Sequence, residues 1–304
     1  MTKAEFIFKG KRAYHLGLKR SELAPYIFLV GDPARAYRVA AYFESLEHEV
    51  KNREYVSLTG RRKGKRFTVI GTGMGTDNIE IAITELYGIH EFNPLTKERY
   101  NNSPPLHLIR IGTSGGVQAD IAPGTLGIST YALGLDNTGL YYDHPEADKE
   151  VKEIEKTAFE LINEGFEAES RFRGKIYPYA SKASSTLAAN MVFEAQKANL
   201  PYVTGITASS PGFYGPSSRI IPGFDNSISQ IKQRLSSLSV NGKRVINMEM
   251  ESSILFHLCR KISYPAATVC SIISNPYSSA NLIDYQASID QAIDLAFACM
   301  ESLE

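Results

Sequence analysis

The chain carries no charge imbalance: 33 Lys and Arg face 33 Asp and Glu, and the pI lies near 7.0. A nucleic-acid surface needs a basic stripe, so that class is set aside. Cysteine is scarce as well. Cys259, Cys270 and Cys299 are odd in number, lack C-x-x-C spacing and sit in apolar stretches, so they read as buried free thiols of a reducing compartment. The six histidines are scattered without ligand-like spacing, and no metal site is expected. No apolar run approaches the roughly 18–20 residues of a membrane span. The opening MTKAEFIFKGKR has neither the apolar core nor the cleavage site of a secretory leader. These absences point to a cytoplasmic globular protein that binds neither membrane nor nucleic acid.

What remains is a chain of 304 residues, 43% hydrophobic, with enough apolar mass for a sizeable core. Strand-like runs alternate with amphipathic ones. YIFLVGD (26–32), RFTVIGTGMG (66–75), LHLIRIGTSGG (106–116) and GTLGISTYALGL (124–135) read as strands, with more at 202–208, 244–248 and 265–273. Helices are expected at 33–43, 77–89, 146–164, 182–199, 223–237, 251–262 and 282–303. The alternation predicts an α/β fold, one domain over 1–304, with a mixed, largely parallel central sheet flanked by helices. Two polar, Pro-rich segments, 90–105 and 209–223, are expected as surface excursions.

Several strands end in glycine: Gly31, Gly71-Thr-Gly73-Met-Gly75 and Gly112-Thr-Ser-Gly115-Gly116. Ligands of open α/β sheets bind beyond the carboxyl ends of strands, so these turns are expected to share a cleft. Arg35 follows GDP, where Asp32 can cap a helix and Pro33 suits its first position. Arg110 sits inside the apolar run LHLIRIG, where a charge needs a partner. Backbone N–H groups, the Thr113 hydroxyl and two guanidinium forks form a plausible oxyanion cradle. The dinucleotide fingerprint G-x-G-x-x-G fails at Thr76. GTSGG fits G-x-S-x-G, but a nucleophile elbow runs strand–turn–helix, and Ser114 leads instead towards another strand.

RVINMEMESSILFHL, 244–258, places Glu249 and Glu251 where a strand passes into a helix. Either they serve the helix N-terminus or they hold something polar. Both readings stand on the residues alone.

Taken in order, YHLGL, VGDPARA, NREY, GTGMG, RIGTSGG, TASSPGFYGPSSR and NMEMES resemble the type I nucleoside phosphorylases, and among them the uridine phosphorylases most. The resemblance runs from about residue 13 to the C-terminus, interrupted mainly at 90–105. It implies a three-layer fold and a pentosyltransferase that splits a nucleoside with inorganic phosphate, yielding base and ribose 1-phosphate without a cofactor. It implies that Gly31, Arg35, Arg110 and Thr113 hold phosphate, with Arg53 reaching the same phosphate from a neighbouring subunit. Met250, Glu251 and Glu249 would form the ribose side, Glu251 bridging the 2′- and 3′-hydroxyls, and His15 of the neighbour would meet the 5′-hydroxyl. Phe213, Ser217, Arg219 and Ile273 would face the base, and Arg110, Glu251 and Arg219 would carry the catalysis. A homo-oligomer follows, with a dimer as its minimal unit and a hexamer as in bacterial relatives.

The chain departs from that pattern at the base. Ser217 stands where uridine phosphorylases carry a glutamine that pairs with the uracil amide edge, and Pro276 replaces an arginine of the bacterial enzymes. Asn275 stands where related purine phosphorylases carry an acidic residue; an amide cannot deliver a proton, although it can bond a base. Pyrimidine, with uridine foremost, is therefore expected. The alternatives are a 6-oxopurine phosphorylase, a water-using nucleosidase and a non-catalytic binding protein.

Overall fold

The computed structural model describes residues 5–143, 148–277 and 285–303. Its first two strands, β1 (Phe8–Lys9) and β2 (Arg12–Ala13), form a small separate hairpin. The main sheet holds β3 (Tyr26–Val30), β4 (Ser45–Asn52), β5 (Tyr55–Arg62), β6 (Lys65–Gly71), β7 (His107–Gly116), β8 (Leu126–Gly134), β9 (Tyr179–Lys182), β10 (Tyr202–Ser209), β11 (Ser239–Val240), β12 (Lys243–Glu249) and β13 (Ala266–Ser274). Helices α1 (Pro33–Ala40), α2 (Thr76–Glu91), α3 (Lys149–Asn163), α4 (Ser185–Lys197), α5 (Ile231–Ser236), α6 (Ser252–Lys261) and α7 (Gln286–Glu301) cover it.

The layering is written into β3. Ile27 and Leu29 face the cluster formed with α2 and α6, while Phe28 and Val30 face the one formed with α1, α4 and α7. A strand buried on both faces reads as an unbroken apolar run, as YIFLV does. A third cluster packs α3 and α5 on β8, β10 and β12.

Strand order is β11-β12-β10-β8-β13-β7-β3-β6-β5-β4, with β9 beside β8. Parallel pairing joins β6, β3, β7 and β13, and again β8, β10 and β12; the junctions and the edges are antiparallel. The sheet is therefore mixed, and its parallel part is central. β12 also pairs with β7, Asn247 opposite Gly116 and Met248 opposite Gly115, so five strands close into a ring. This closure lays the carboxyl end of β12 beside that of β7.

The glycines of RIGTSGG do not form a turn: the whole motif is strand, and only the close approach of neighbours demands the small residue. A Cβ on Gly116 would meet Ile272 Cγ2 at 3.2 Å, and one on Gly112 would fall inside the Arg110 guanidinium. The expected helix at 223–237 forms only as α5, and the run expected as helix at 182–199 follows edge strand β9. Helices α3 and α7 begin later than expected; 146–147 and 282–284 lie outside the described residues. Among the described residues no helix is long and apolar enough to cross a membrane.

Candidate active site

At the start of α1, Asp32 accepts a hydrogen bond from Ala34 N at 2.8 Å and Pro33 takes the first helical position. This fixes the path of the chain at the end of β3 and sends Arg35 back towards the sheet, where its Nη1 approaches Ile111 O at 3.5 Å. Arg35 has no carboxylate within ion-pair distance among the described residues. Burial, and then the nearby Arg110 charge, draws its pKa below the ordinary arginine value.

Arg110 is buried in β7 and does have partners. Nη2 is hydrogen-bonded to Glu251 Oε2, and Nε lies 3.3 Å from Glu249 Oε2. Burial works against its charge, but Glu251 and Glu249 more than offset that, and its pKa rises above the ordinary value. Cys270 Sγ lies 3.7 Å from Nη1, and burial pushes this thiol up to about 12. All three cysteines are free and buried.

The two carboxylates divide the work that the sequence left undecided. Glu249 accepts from Ser209 Oγ at 2.6 Å and from the backbone N–H groups of Glu251 and Ser252 at 3.1 Å, so it is the acid that serves the N-terminus of α6. Burial raises its pKa despite Arg110. Glu251 occupies the cap position itself without a capping side-chain bond. Its carboxylate turns instead to Gly75 N at 2.8 Å and to Arg110. Gly75 can aim that N–H because its φ of 96° is open to glycine.

Both groups open on one cleft of about 520 Å³. Gly31, Arg35, Arg110, Thr113, Phe213, Ser217, Arg219, Glu249, Met250, Glu251 and Ile273 all line it. Its other end is built by the 209–223 segment. Arg219 stacks on Phe213 with its Cζ 3.7 Å from the ring centroid and donates to Phe213 O. Ser217 is buried, and its hydroxyl donates to Gly212 O at 3.0 Å.

His15 and Arg53 are not among the residues that line the cleft. They sit together elsewhere: Asn52 Nδ2 donates to Tyr14 O and His15 O at 2.9 and 2.7 Å, and Arg53 Nη2 donates to the Tyr14 hydroxyl at 2.9 Å. His15 Nδ1 lies 2.7 Å from Glu85 Oε1, and a carboxylate only accepts, so the proton is on Nδ1 and Nε2 is the remaining ring nitrogen. Arg53 is exposed at a hairpin turn with φ 52°, an uncommon conformation for a non-glycine residue.

Asn275 is not among the residues that line the cleft. Its Nδ2 donates to Gln118 O and Ile121 O, both at 2.7 Å, and its Oδ1 accepts from Tyr277 N at 3.0 Å, which uses the amide to anchor chain. The sequence reading missed Lys232, which lines the cleft beside Arg219. It lies in the run expected as helix at 223–237, and no motif there singles out a lysine. Ser114 is buried in β7, where its Oγ accepts from Asn247 Nδ2 at 2.9 Å.

The family model for the phosphorylase superfamily matches residues 25–303. A uridine phosphorylase of Thermococcus kodakarensis is 27% identical over 86% of this chain and 77% of its own length. A DeoD-type purine nucleoside phosphorylase of Brevibacillus brevis is 26% identical over 93% and 96%. The solved nucleoside phosphorylase of Trypanosoma brucei, described as showing uridine phosphorylase activity, superposes with a TM-score of 0.88 at 28% identity, covering 98% of this chain and 99% of its own.

Proposed function

Since the chain belongs to the phosphorylase superfamily, we propose that it is a nucleoside phosphorylase acting on uridine, releasing uracil and ribose 1-phosphate. The observation that carries this reading is Arg35. A half-buried guanidinium with no carboxylate within ion-pair distance among the described residues suits an anion, and it opens on the same cleft as Arg110 and Thr113. Phosphate seated there would be nucleophile and counter-charge for the positive charge that develops on the ribose ring. Gly31 and Thr113 would add hydrogen bonds to it.

Glu251 would grip the sugar hydroxyls through the acceptor capacity left beside its bonds to Gly75 N, Arg110 and Met250 N, with Met250 against the ring. That grip tightens as oxocarbenium character grows, because hydroxyl donors next to a developing cation become stronger. Glu249 is placed to hold Arg110 and the α6 start, and so to position Glu251. Arg219 would meet negative charge building on the departing base, with Phe213 and Ile273 against its faces. Binding both reactants in one cleft removes much of the entropic barrier, and no cofactor is required.

His15 and Arg53, clustered away from the cleft, would complete the site of a second subunit, which makes a homodimer the smallest active unit. Light scattering of the purified chain tests the assembly. Likeness to the Brevibacillus brevis protein keeps a 6-oxopurine substrate as a second reading, although the spent amide of Asn275 speaks for the pyrimidine. The deciding experiment follows base release from uridine, deoxyuridine, thymidine, inosine, guanosine and adenosine with and without phosphate. Uridine turnover that needs phosphate and yields ribose 1-phosphate is expected; equal rates without phosphate would mean a nucleosidase instead.

A further inference from the structure

The base end of the cleft contains more positive charge than the reading above uses. Lys232, in α5, lines the cleft together with Arg219 and Ser217, and its backbone N–H donates to Ser218 Oγ at 3.1 Å, tying the helix to the base loop. Among the described residues neither Lys232 nor Arg219 has a carboxylate within ion-pair distance. Two cations thus share one pocket wall with no carboxylate paired to either among the described residues, an arrangement that costs stability until an electron-rich group arrives. Burial, and then the Arg219 charge, already draws the Lys232 pKa below the ordinary lysine value.

The third polar side chain at this end is restricted in what it can do. The one proton of the Ser217 hydroxyl has two internal acceptors, Gly212 O at 3.0 Å and Ser210 Oγ at 3.4 Å, which leaves its oxygen to accept from a ligand. Two cationic donors and one acceptor are the complement of an imide edge, which presents two carbonyl oxygens and one N–H. A 4-amino pyrimidine would turn a donor towards these cations and leave one of them without an acceptor.

We infer that Lys232 is a specificity-determining residue of the base subsite, donating with Arg219 to the two carbonyl oxygens of an imide base and stabilising the negative charge they take up as the base departs. The inference rests on the phosphorolytic reading of the same cleft. It assigns to Lys232 part of the recognition that Ser217 is too short to provide.

The test uses the full chain and its Lys232→Met, Lys232→Gln and Lys232→Arg variants, assayed in phosphate with uridine and 5-fluorouridine. Lys232→Met should lose about 30-fold in kcat/KM on uridine, the scale of one electrostatic donor to a leaving group. The loss on 5-fluorouridine should be clearly smaller, since fluorine already stabilises the departing anion. Lys232→Arg should recover most of the activity, Lys232→Gln should fall between, and the KM for phosphate should hold within about twofold. A merely structural lysine would lower both nucleosides equally and disturb phosphate as well. Equal losses, or none, overturn the inference while leaving phosphorolysis by the wild type intact. A wild type that does not release uracil in phosphate rejects both. Should Lys232→Met fail to fold, the same comparison of the two nucleosides on Lys232→Gln decides the matter.

Discussion

Gly112→Ala is the sharpest test of the buried charge arrangement, because it deletes no charged or polar group. The added methyl carbon would fall inside the Arg110 guanidinium and lie 2.8 Å from both Arg110 Cζ and Cys270 Sγ. The backbone there is strand, paired with Cys270, so it cannot retreat without breaking the β7–β13 ladder. The guanidinium must leave its place instead, and with it go its contacts to Glu251 and Glu249. Breaking a buried ion pair typically costs roughly 3–5 kcal/mol, most of it from carboxylates left unpaired. The displaced arginine stays close, so the lower end, about 3 kcal/mol, is expected. With a urea m-value of about 3 kcal/mol/M, the unfolding midpoint should fall by about 1 M. The phosphate KM should rise by about 30-fold if about 2 kcal/mol of charged hydrogen bonding is lost with the guanidinium. In an Arg110→Met background the same alanine should cost far less, because the interaction it disrupts is already gone. A midpoint within about 0.3 M of wild type, together with an unaltered phosphate KM, would refute the placement of Arg110 over Gly112.

Asn275→Ala removes the donor for two carbonyls, those of Gln118 and Ile121, and should destabilise the protein by about 2–3 kcal/mol; the ratio of uridine to inosine turnover should stay put, and a large change in that ratio would return Asn275 to the base site. Arg35→Met should raise the phosphate KM by at least tenfold, about 1.4 kcal/mol, with little loss of stability because no ion pair is broken; steady-state kinetics at varied phosphate checks this. Glu22 is held below the usual carboxylate range: burial works the other way, but hydrogen bonds from Arg12 and Lys19 outweigh it. Its stabilisation is therefore present above the unfolded value of 4.5 and lost as pH falls through the lower folded value. Glu22→Gln should cost about 1 kcal/mol near neutral pH, given the partly exposed Arg12 partner, and flatten the acid limb of stability; urea titrations at pH 7 and below pH 4 distinguish this from a pH-independent loss.

The strands that carry the site were legible because they are buried on both faces, and the sequence shows this as continuous apolar runs. β4 and β5 were not. SLEHEVKN is an edge strand with no buried residue and six charged or polar side chains against two apolar ones, Leu46 and Val50, and no turn glycine marks the hairpin that Arg53 makes at positive φ. The predicted 223–237 helix failed for a related reason. Polar residues with loose periodicity can be drawn on a helix, but within this run only Ile231 and Leu235 are buried in the α3 cluster, with Ile228 packed on it in part, and helix persists only around the buried pair.

Within the site, residue type was easier to infer than duty. Arg110 announced itself as a charge inside an apolar strand. Nothing local could say that Gly112 exists to make room for it, because that relation depends on side-chain direction two residues along a strand, where i and i+2 share a face. The same holds for NMEMES. Glu249 and Glu251 are also two apart, yet the strand ends between them: one carboxylate turns back to the first backbone N–H groups of α6 and the other forward to Gly75, while both reach Arg110. The change of backbone conformation at Met250–Glu251 is what allows two like charges and one guanidinium to be buried together, and it also leaves Glu251 with acceptor capacity for a ligand.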